Sequence, residues 1–230
     1  KNPNIIFSDA KFDHAVDMAV KASFTNQGQI CLSGSRLFVQ RDIYDEFQSA
    51  FIEKTRELVV GDPKDKNSNL GAVVSKEHME KILSKIKQAQ DEGGIVLTGG
   101  NRINLNGELK HGYYIQPTII EGLSADSQTN HDEIFGPVVT IHPFKDKTEA
   151  IALANNSNYG LSASIWTSNL ELAHNIAEKI ETGIIWINNW MLRDLRTSFG
   201  GIKNSGIGRE GGNDSLLFFT EPKNVCVDYN

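Results

Sequence analysis

The stretch NIIFSDAKFDHAVDMAVKASFTNQGQICLSGSRLFVQ, residues 4–40, reads as strand, helix, glycine-containing loop and strand. NIIFS, residues 4–8, is a short apolar run of the kind that forms a buried strand. Phe12, Ala15, Val16, Ala19 and Val20 then recur at helical spacing, which predicts a helix over residues 12–24 with Asp9 near its cap. A loop holding Gly28 and Cys31 follows, then a strand over 36–40.

The same alternation continues outward. Asp42 is placed to cap a second helix whose inner face is Tyr44, Phe47, Phe51 and Leu58, and Gly61-Asp62-Pro63 stops it. Ser75 opens a helix to about residue 91, ended by Gly93-Gly94. Strands are expected over 95–98, 113–120, 138–144, 162–167 and 184–188, and helices over 147–155 and 170–181, the latter capped by Asn169. Residues 193–212 are polar and Gly-rich and read mostly as loop, and 224–229 read as an edge strand. The expected fold is α/β, a largely parallel sheet with helices on both faces. Ligands in such folds sit at the carboxyl ends of the strands.

Composition bounds the function. The chain has 230 residues, 39% hydrophobic and 23% charged, as a soluble globular protein does. No apolar run approaches a membrane span. A net charge of −6 argues against a nucleic-acid partner, because phosphate binding needs clustered Lys and Arg. The two cysteines, Cys31 and Cys226, are far apart and fit a reducing cytoplasm. The six histidines show no metal-ligand spacing, so no metal is expected. Gly206, Gly208 and Gly211 spell GxGxxG but lack the strand before and the helix and acidic residue after that a dinucleotide fingerprint needs.

Cys31 supports two readings on its own. A cysteine leaving a glycine-rich turn meets backbone N–H dipoles that favour thiolate, a good nucleophile towards carbonyl carbon. A lone cysteine is also often a small packing residue. The segment FTNQGQICLSGSR, with Phe24, Gly28, Gln29 and Cys31, resembles the cysteine active-site signature of the aldehyde dehydrogenase superfamily. EIFGPVVTIHPF, residues 133–144, resembles that family's cofactor-contacting motif, which implies that Glu133 meets the nicotinamide ribose and Phe135 packs beside the nicotinamide. WINNW followed by TSFGGIKNSGIGRE resembles a third family segment, and by position Asn188 and Phe199 would meet substrate. GAVVSKEHMEKI resembles a further ribose-contacting stretch, implying His78 and Lys81, although relatives often carry Gln at the His78 position.

The resemblance spans essentially the whole chain. It implies that Cys31 attacks an aldehyde, that its backbone N–H holds part of the oxyanion, and that hydride passes to NAD, with NADP also open. A thioester on Cys31 is then hydrolysed to the acid. In relatives a Glu in an ELGG segment just before the position of Lys1 activates the water, and an Asn further upstream completes the oxyanion hole. Residues 1–204 would be the catalytic cysteine domain and 205–230 a C-terminal return segment and oligomerisation strand. The cofactor domain would lie outside this chain, in a parent about twice as long that forms a homodimer or homotetramer. The chain alone is expected to be inactive.

The loop NNWMLRDLRTSFGG resembles the subgroup acting on muconic semialdehydes, intermediates of aromatic-ring degradation. Arg196 and Arg193 precede Phe199 there, with Arg196 the nearer. A guanidinium grips a carboxylate bidentately, so a carboxylate-bearing aldehyde is the expected partner. Another aldehyde remains the alternative, and cationic betaine aldehyde suits two arginines least. Cys226, in VCVDY, reads as packing.

Overall fold

The structure, a computed structural model, describes residues 1–229. Strands β1 (Pro3–Ile6) and β2 (Arg36–Gln40) flank helix α1 (Phe12–Phe24), as the opening stretch predicts. Helices α2 (Tyr44–Arg56) and α3 (Lys76–Asp91) precede β3 (Ile95–Thr98). Short β4 (Arg102–Ile103) and β5 (Tyr114–Ile115) pair across the polar loop, and β6 (Thr118–Glu121) follows. Then come α4 (Gln128–His131), β7 (Val138–Phe144), α5 (Lys147–Asn155), β8 (Tyr159–Gly160) and β9 (Ser162–Trp166). Helix α6 (Leu170–Ala177), β10 (Ile184–Ile187), β11 (Ile202–Lys203) and α7 (Gly212–Phe219) complete the order.

Seven strands form one sheet in the order β10-β9-β1-β2-β7-β6-β3. Its neighbours are parallel except β3, which runs antiparallel at the edge. Period-two alternation divides the strand residues between two cores. Ile6, Leu37, Val39, Val139 and Ile141 pack with α1 and α2 on one face. Ile5, Phe38, Phe144 and Ile165 pack with α5 and α6 on the other, and Ile120 and Val138 meet α3. Burial on both faces is why VVTIHPF reads as a nearly continuous apolar run.

Arg36 is buried to 2% exposure at the start of β2. Its guanidinium donates to the carbonyls of Lys1, Leu153, Ala154 and Asn156, tying the entry of β1 to the C-terminal end of α5. A cation at a helix C-terminus also meets the favourable end of the macrodipole. Burial pushes Arg36 down to about 9, which still leaves it charged at neutral pH.

Several local expectations are corrected. Asp9 does not cap α1, whose cap residue is Lys11. Its carboxylate instead accepts from the Thr167 hydroxyl at 2.7 Å and from the backbone N–H groups of Ser168 and Asn169, stapling β1 to the β9–α6 turn. Burial opposes that charge, but these hydrogen bonds outweigh it and hold the Asp9 carboxyl below its ordinary value. Asp42 lies in a 3₁₀ turn ahead of α2 and accepts from the Gln40 amide rather than capping. The strand expected over 113–120 is broken at Gln116-Pro117, since proline has no N–H for a ladder. Helix α6 stops at Ala177, whereas Asn169 caps it as expected. Residues 224–229 adopt no strand. Among the described residues no helix is long and apolar enough to cross a membrane.

His142, at the centre of β7, is buried, and its ring meets the Asn130 side-chain oxygen at 3.2 Å. Burial first, and the Arg36 charge second, lower it from 6.5 to about 4. An imidazole that resists protonation when folded leaves the unfolded chain binding more protons. Stability contributed by His142 is therefore complete above about 6.5 and is lost as pH falls towards 4. Urea denaturation of wild type and His142→Gln across that window should show a shallower pH slope in the variant. Equal slopes would contradict the assignment.

Candidate active site

The loop that carries Cys31 is set by unusual backbone. After α1, Asn26, Gln27 and Gly28 all take positive φ, at 52°, 57° and 66°. Two side chains pin this left-handed turn to the segment before α3. Gln27 donates to the Ala72 carbonyl at 3.0 Å, and Gln29 accepts from the Val74 N–H at 3.1 Å. Cys31 follows, exposed and with no disulfide partner. The Ser33 N–H closes the turn on the Ile30 carbonyl at 2.9 Å.

A second loop, 132–137, approaches from the other side. A Cβ on Gly28 would sit 2.1 Å from the Gly136 carbonyl oxygen, so the two backbones touch where side chains cannot fit. Gly136 in turn faces Ile82 of α3, whose Cδ1 would lie 2.5 Å from an added Cβ. Phe135 has φ of 59°, a conformation a bulky residue holds only when its surroundings impose it. His78 supplies part of that constraint: its Nε2 lies 2.7 Å from the Phe135 carbonyl oxygen, and the two rings meet edge to face.

These loops enclose a cavity of about 210 Å³ whose lining includes Lys1, Asn2, Cys31, Glu133 and Phe135. Phe135 is 38% exposed there. Among the described residues the Glu133 carboxylate takes no hydrogen bond. Lys1 is buried beside it, and burial followed by the Arg36 charge lowers its ammonium to about 7, partly offset by Glu133 and Asp132. The cavity opens at the amino ends of the strands, not at the carboxyl ends as the general rule for open sheets predicts. The reason is connectivity: its chemical groups lie on segments that lead into β1, β2, β7 and β9.

The other expected site residues are distributed differently. His78 reaches the cavity only through Phe135, and Lys81 stands exposed one turn further along α3, outside the lining. Arg193 and Phe199 line a second cavity of about 280 Å³ with Trp186, Asp194 and Glu210. The Arg193 guanidinium lies 4.4 Å over the Phe199 ring and meets no protein acceptor among the described residues. Arg196, expected to be the better candidate, is instead 88% exposed along its side chain and clasps Asp194, with Nε at 2.9 and 3.1 Å from the two carboxylate oxygens. That clasp holds the Asp194 carboxyl below its usual range. Asn188 turns its amide away from both cavities, donating to the Thr167 carbonyl at 2.8 Å and accepting from the Thr167 N–H at 3.0 Å. It bridges β9 and β10 beyond their last ladder pair. Phe199 also packs on a cluster of Leu32, Trp186 and Trp190, so the second cavity adjoins the residue next to Cys31.

Sequence reasoning missed Asn2, Gln27, Trp190 and the Gly28–Gly136 contact. An asparagine directly before proline at a strand entry carried a signal in Asn2-Pro3, but its partners are remote in sequence.

A strained cysteine loop locked against a carboxylate-and-aromatic loop on a parallel sheet defines a class, and residues 1–225 match the aldehyde dehydrogenase family; the chain belongs to it. It is 48% identical over 227 residues to the 2-hydroxymuconic semialdehyde dehydrogenase of Pseudomonas sp. (strain CF600), covering 99% of this chain and 47% of that protein. It is 45% identical over 231 residues to the 2-aminomuconic semialdehyde dehydrogenase of Homo sapiens, covering 100% of this chain and 47% of that one. A crystal structure of Staphylococcus aureus betaine aldehyde dehydrogenase in complex with NAD+ superposes with a TM-score of 0.92 at 38% identity, over 95% of this chain and 43% of that chain. The chain spans about half the length of the curated relatives it matches.

Gly28→Ala forces a Cβ into the Gly136 carbonyl at a positive φ. The expected loss of stability exceeds about 1 kcal/mol, the scale for an alanine placed where its backbone is incompatible. Denaturation of the variant beside a control such as Gly107→Ala, where an added Cβ meets nothing within 4 Å though φ is also positive, separates clash from φ strain. Equal losses in the two would show that the Gly28–Gly136 contact carries no weight.

Proposed function

We propose that the protein containing this chain oxidises an aldehyde to its carboxylic acid, with Cys31 as nucleophile. The observation that carries this reading is the single cavity shared by Cys31, Glu133 and Phe135. NAD fits the residues present. Glu133 offers two open acceptors, which suits a ribose diol, and Phe135 presents a part-exposed ring to a planar group. His78 contributes by holding the Phe135 backbone, and Lys81 by its charge on the adjacent helix turn. When bound there, NAD supplies the acceptor for hydride.

The chain's own residues do the rest. The Cys31 thiolate adds to the carbonyl carbon, forming the C–S bond and moving the π electrons to oxygen. The Cys31 N–H, free of protein acceptors among the described residues, is available to that oxyanion. Loss of hydride from carbon re-forms the C=O bond and leaves a thioester on Cys31. Water then releases the acid and the thiol. Residues 1–204 form the cysteine-bearing domain in this reading, with the remainder of the active site in parts of the protein outside this chain.

A carboxylate-bearing aldehyde of the muconic semialdehyde type is the proposed substrate. The relatives support it, and so does Arg193, whose guanidinium is free while Arg196 is committed to Asp194. Phe199 steadies Arg193 from below. Asn188 acts indirectly, by fixing the strand end from which the loop departs. Betaine aldehyde, a cation, would meet an unneutralised Arg193. We place the protein in the cytoplasm as a homodimer or homotetramer. The exposed Leu216, Phe218 and Phe219 of α7 and Val225 and Val227 beyond it favour assembly through residues 205–230.

Two tests follow. In the intact protein, Cys31→Ala should abolish dinucleotide-dependent aldehyde oxidation while Cys226→Ala leaves it intact, and normal turnover in the former would refute the mechanism. Arg193→Ala should lower kcat/KM for 2-hydroxymuconic semialdehyde by about 10–150-fold, the scale of one hydrogen bond to a charged group, but hardly affect a neutral aldehyde of similar length. Arg196→Ala should do less. Equal losses for both aldehydes would reduce Arg193 to a structural role.

A further inference from the structure

The turn that carries Cys31 has all four of its carbonyls engaged. The Ile30 carbonyl takes the Ser33 N–H at 2.9 Å. The Cys31 and Ser33 carbonyls both take the Asn2 side-chain amide, each at 2.8 Å. The Leu32 carbonyl takes the Trp190 indole N–H at 2.9 Å. Asn2 is itself only 7% exposed and firmly held. Its side-chain oxygen accepts from the Ser162 N–H at the start of β9, and its backbone carbonyl accepts from Arg36 N–H in the β1–β2 ladder.

A peptide group is planar, so gripping its carbonyl fixes the whole plane. Two planes flank the Cα of Cys31. The Ile30–Cys31 plane is pinned within the turn, and the Cys31–Leu32 plane is pinned by Asn2. Together they set φ and ψ at Cys31 and hence the direction of its Cα–Cβ bond. They also aim the N–H groups of Cys31 and Leu32, neither of which meets a protein acceptor among the described residues. Without Asn2 one plane is free to rotate, and with it the thiol and the Leu32 N–H.

We infer that Asn2 is the positioning residue of this site: its amide, anchored on β9, fixes the peptide plane after Cys31 and so aims the thiol and the neighbouring N–H groups into the cavity. This rests on Cys31 being the nucleophile. Asn2 touches neither substrate nor cofactor in this role. Its effect falls on the geometry of attack, not on the binding of dinucleotide at Glu133 and Phe135.

The test uses the intact protein and three variants. Asn2→Asp is isosteric and keeps the acceptor for Ser162 while losing both amide bonds; Asn2→Leu loses them without adding charge; Asn2→Ser keeps one donor. Misplacing a reacting group by about 1 Å can cost about 10²-fold in rate. The expected result is a fall in kcat of about 10–100-fold in Asn2→Asp and Asn2→Leu, with Asn2→Ser between them and wild type. Dinucleotide affinity should stay unchanged in all three. Alkylation of Cys31 by iodoacetamide, which needs an accessible thiolate but little orientation, should keep its rate in Asn2→Leu and so report a folded site. A loss of kcat matched by equal losses of alkylation and dinucleotide binding would make Asn2 a scaffold residue and overturn the inference. Unchanged kcat in both donor-free variants would do the same. If Cys31→Ala retained turnover, the functional reading would fail first, an outcome distinct from either.

Discussion

The site depends on the contact between Gly28 and the Gly136 carbonyl, where an added Cβ would lie 2.1 Å from the oxygen. One backbone carries the cysteine and the other the Glu133–Phe135 pair, and they approach more closely than any side chain permits. Everything nearby serves that approach. Three successive left-handed residues bring the cysteine loop down, Gln27 and Gln29 hold it to the segment before α3, and Ile82 and His78 hold the opposite loop in place. In the proposed reaction the Cys31 thiol and the Glu133 carboxylate must keep a fixed separation, and two touching backbones drift less than two side chains that can change rotamer.

The sheet below supplies the rigidity. Loops leading into parallel strands inherit the strands' spacing, and here the segments before β1, β2, β7 and β9 converge on one cavity. Arg36 reinforces this from inside by satisfying four carbonyls at the junction of β1 and α5. A buried charge is costly unless its donors are matched. Multiple carbonyl acceptors meet that requirement, and the same charge disfavours protonation of neighbouring His142 and Lys1.

Charge in the second cavity is arranged differently. Asp194 and Arg193 line the same space. Arg196 takes Asp194 from the solvent side, and Arg193 is left over the Phe199 ring. An exposed ion pair stabilises a fold little. Its consequence here is which cation remains open.

How much of this was legible in the sequence depended on the range of the interaction. Periodicity placed α1 at its observed bounds and most of the sheet strands within a residue or two, because burial on one stripe or two faces writes itself into neighbouring positions. Caps were half legible: Ser75 and Asn169 cap as local geometry demands. Asp9 does not, because its carboxylate takes donors that the tertiary fold brings from 158 to 160 positions away, and Asp42 does not, because it takes the Gln40 amide two positions before it. The motifs around Cys31 and Glu133 carried the family, since spacing and residue type are properties of a string. Only the tertiary structure decided that the cavity opens at the amino ends of the strands, that Asn188 binds backbone, and that Arg193 rather than Arg196 is free. The cavity's opening follows from how the strands are connected, Asn188 is taken by a partner 21 positions away, and the choice between Arg193 and Arg196 is a competition for Asp194 that distance in space settles.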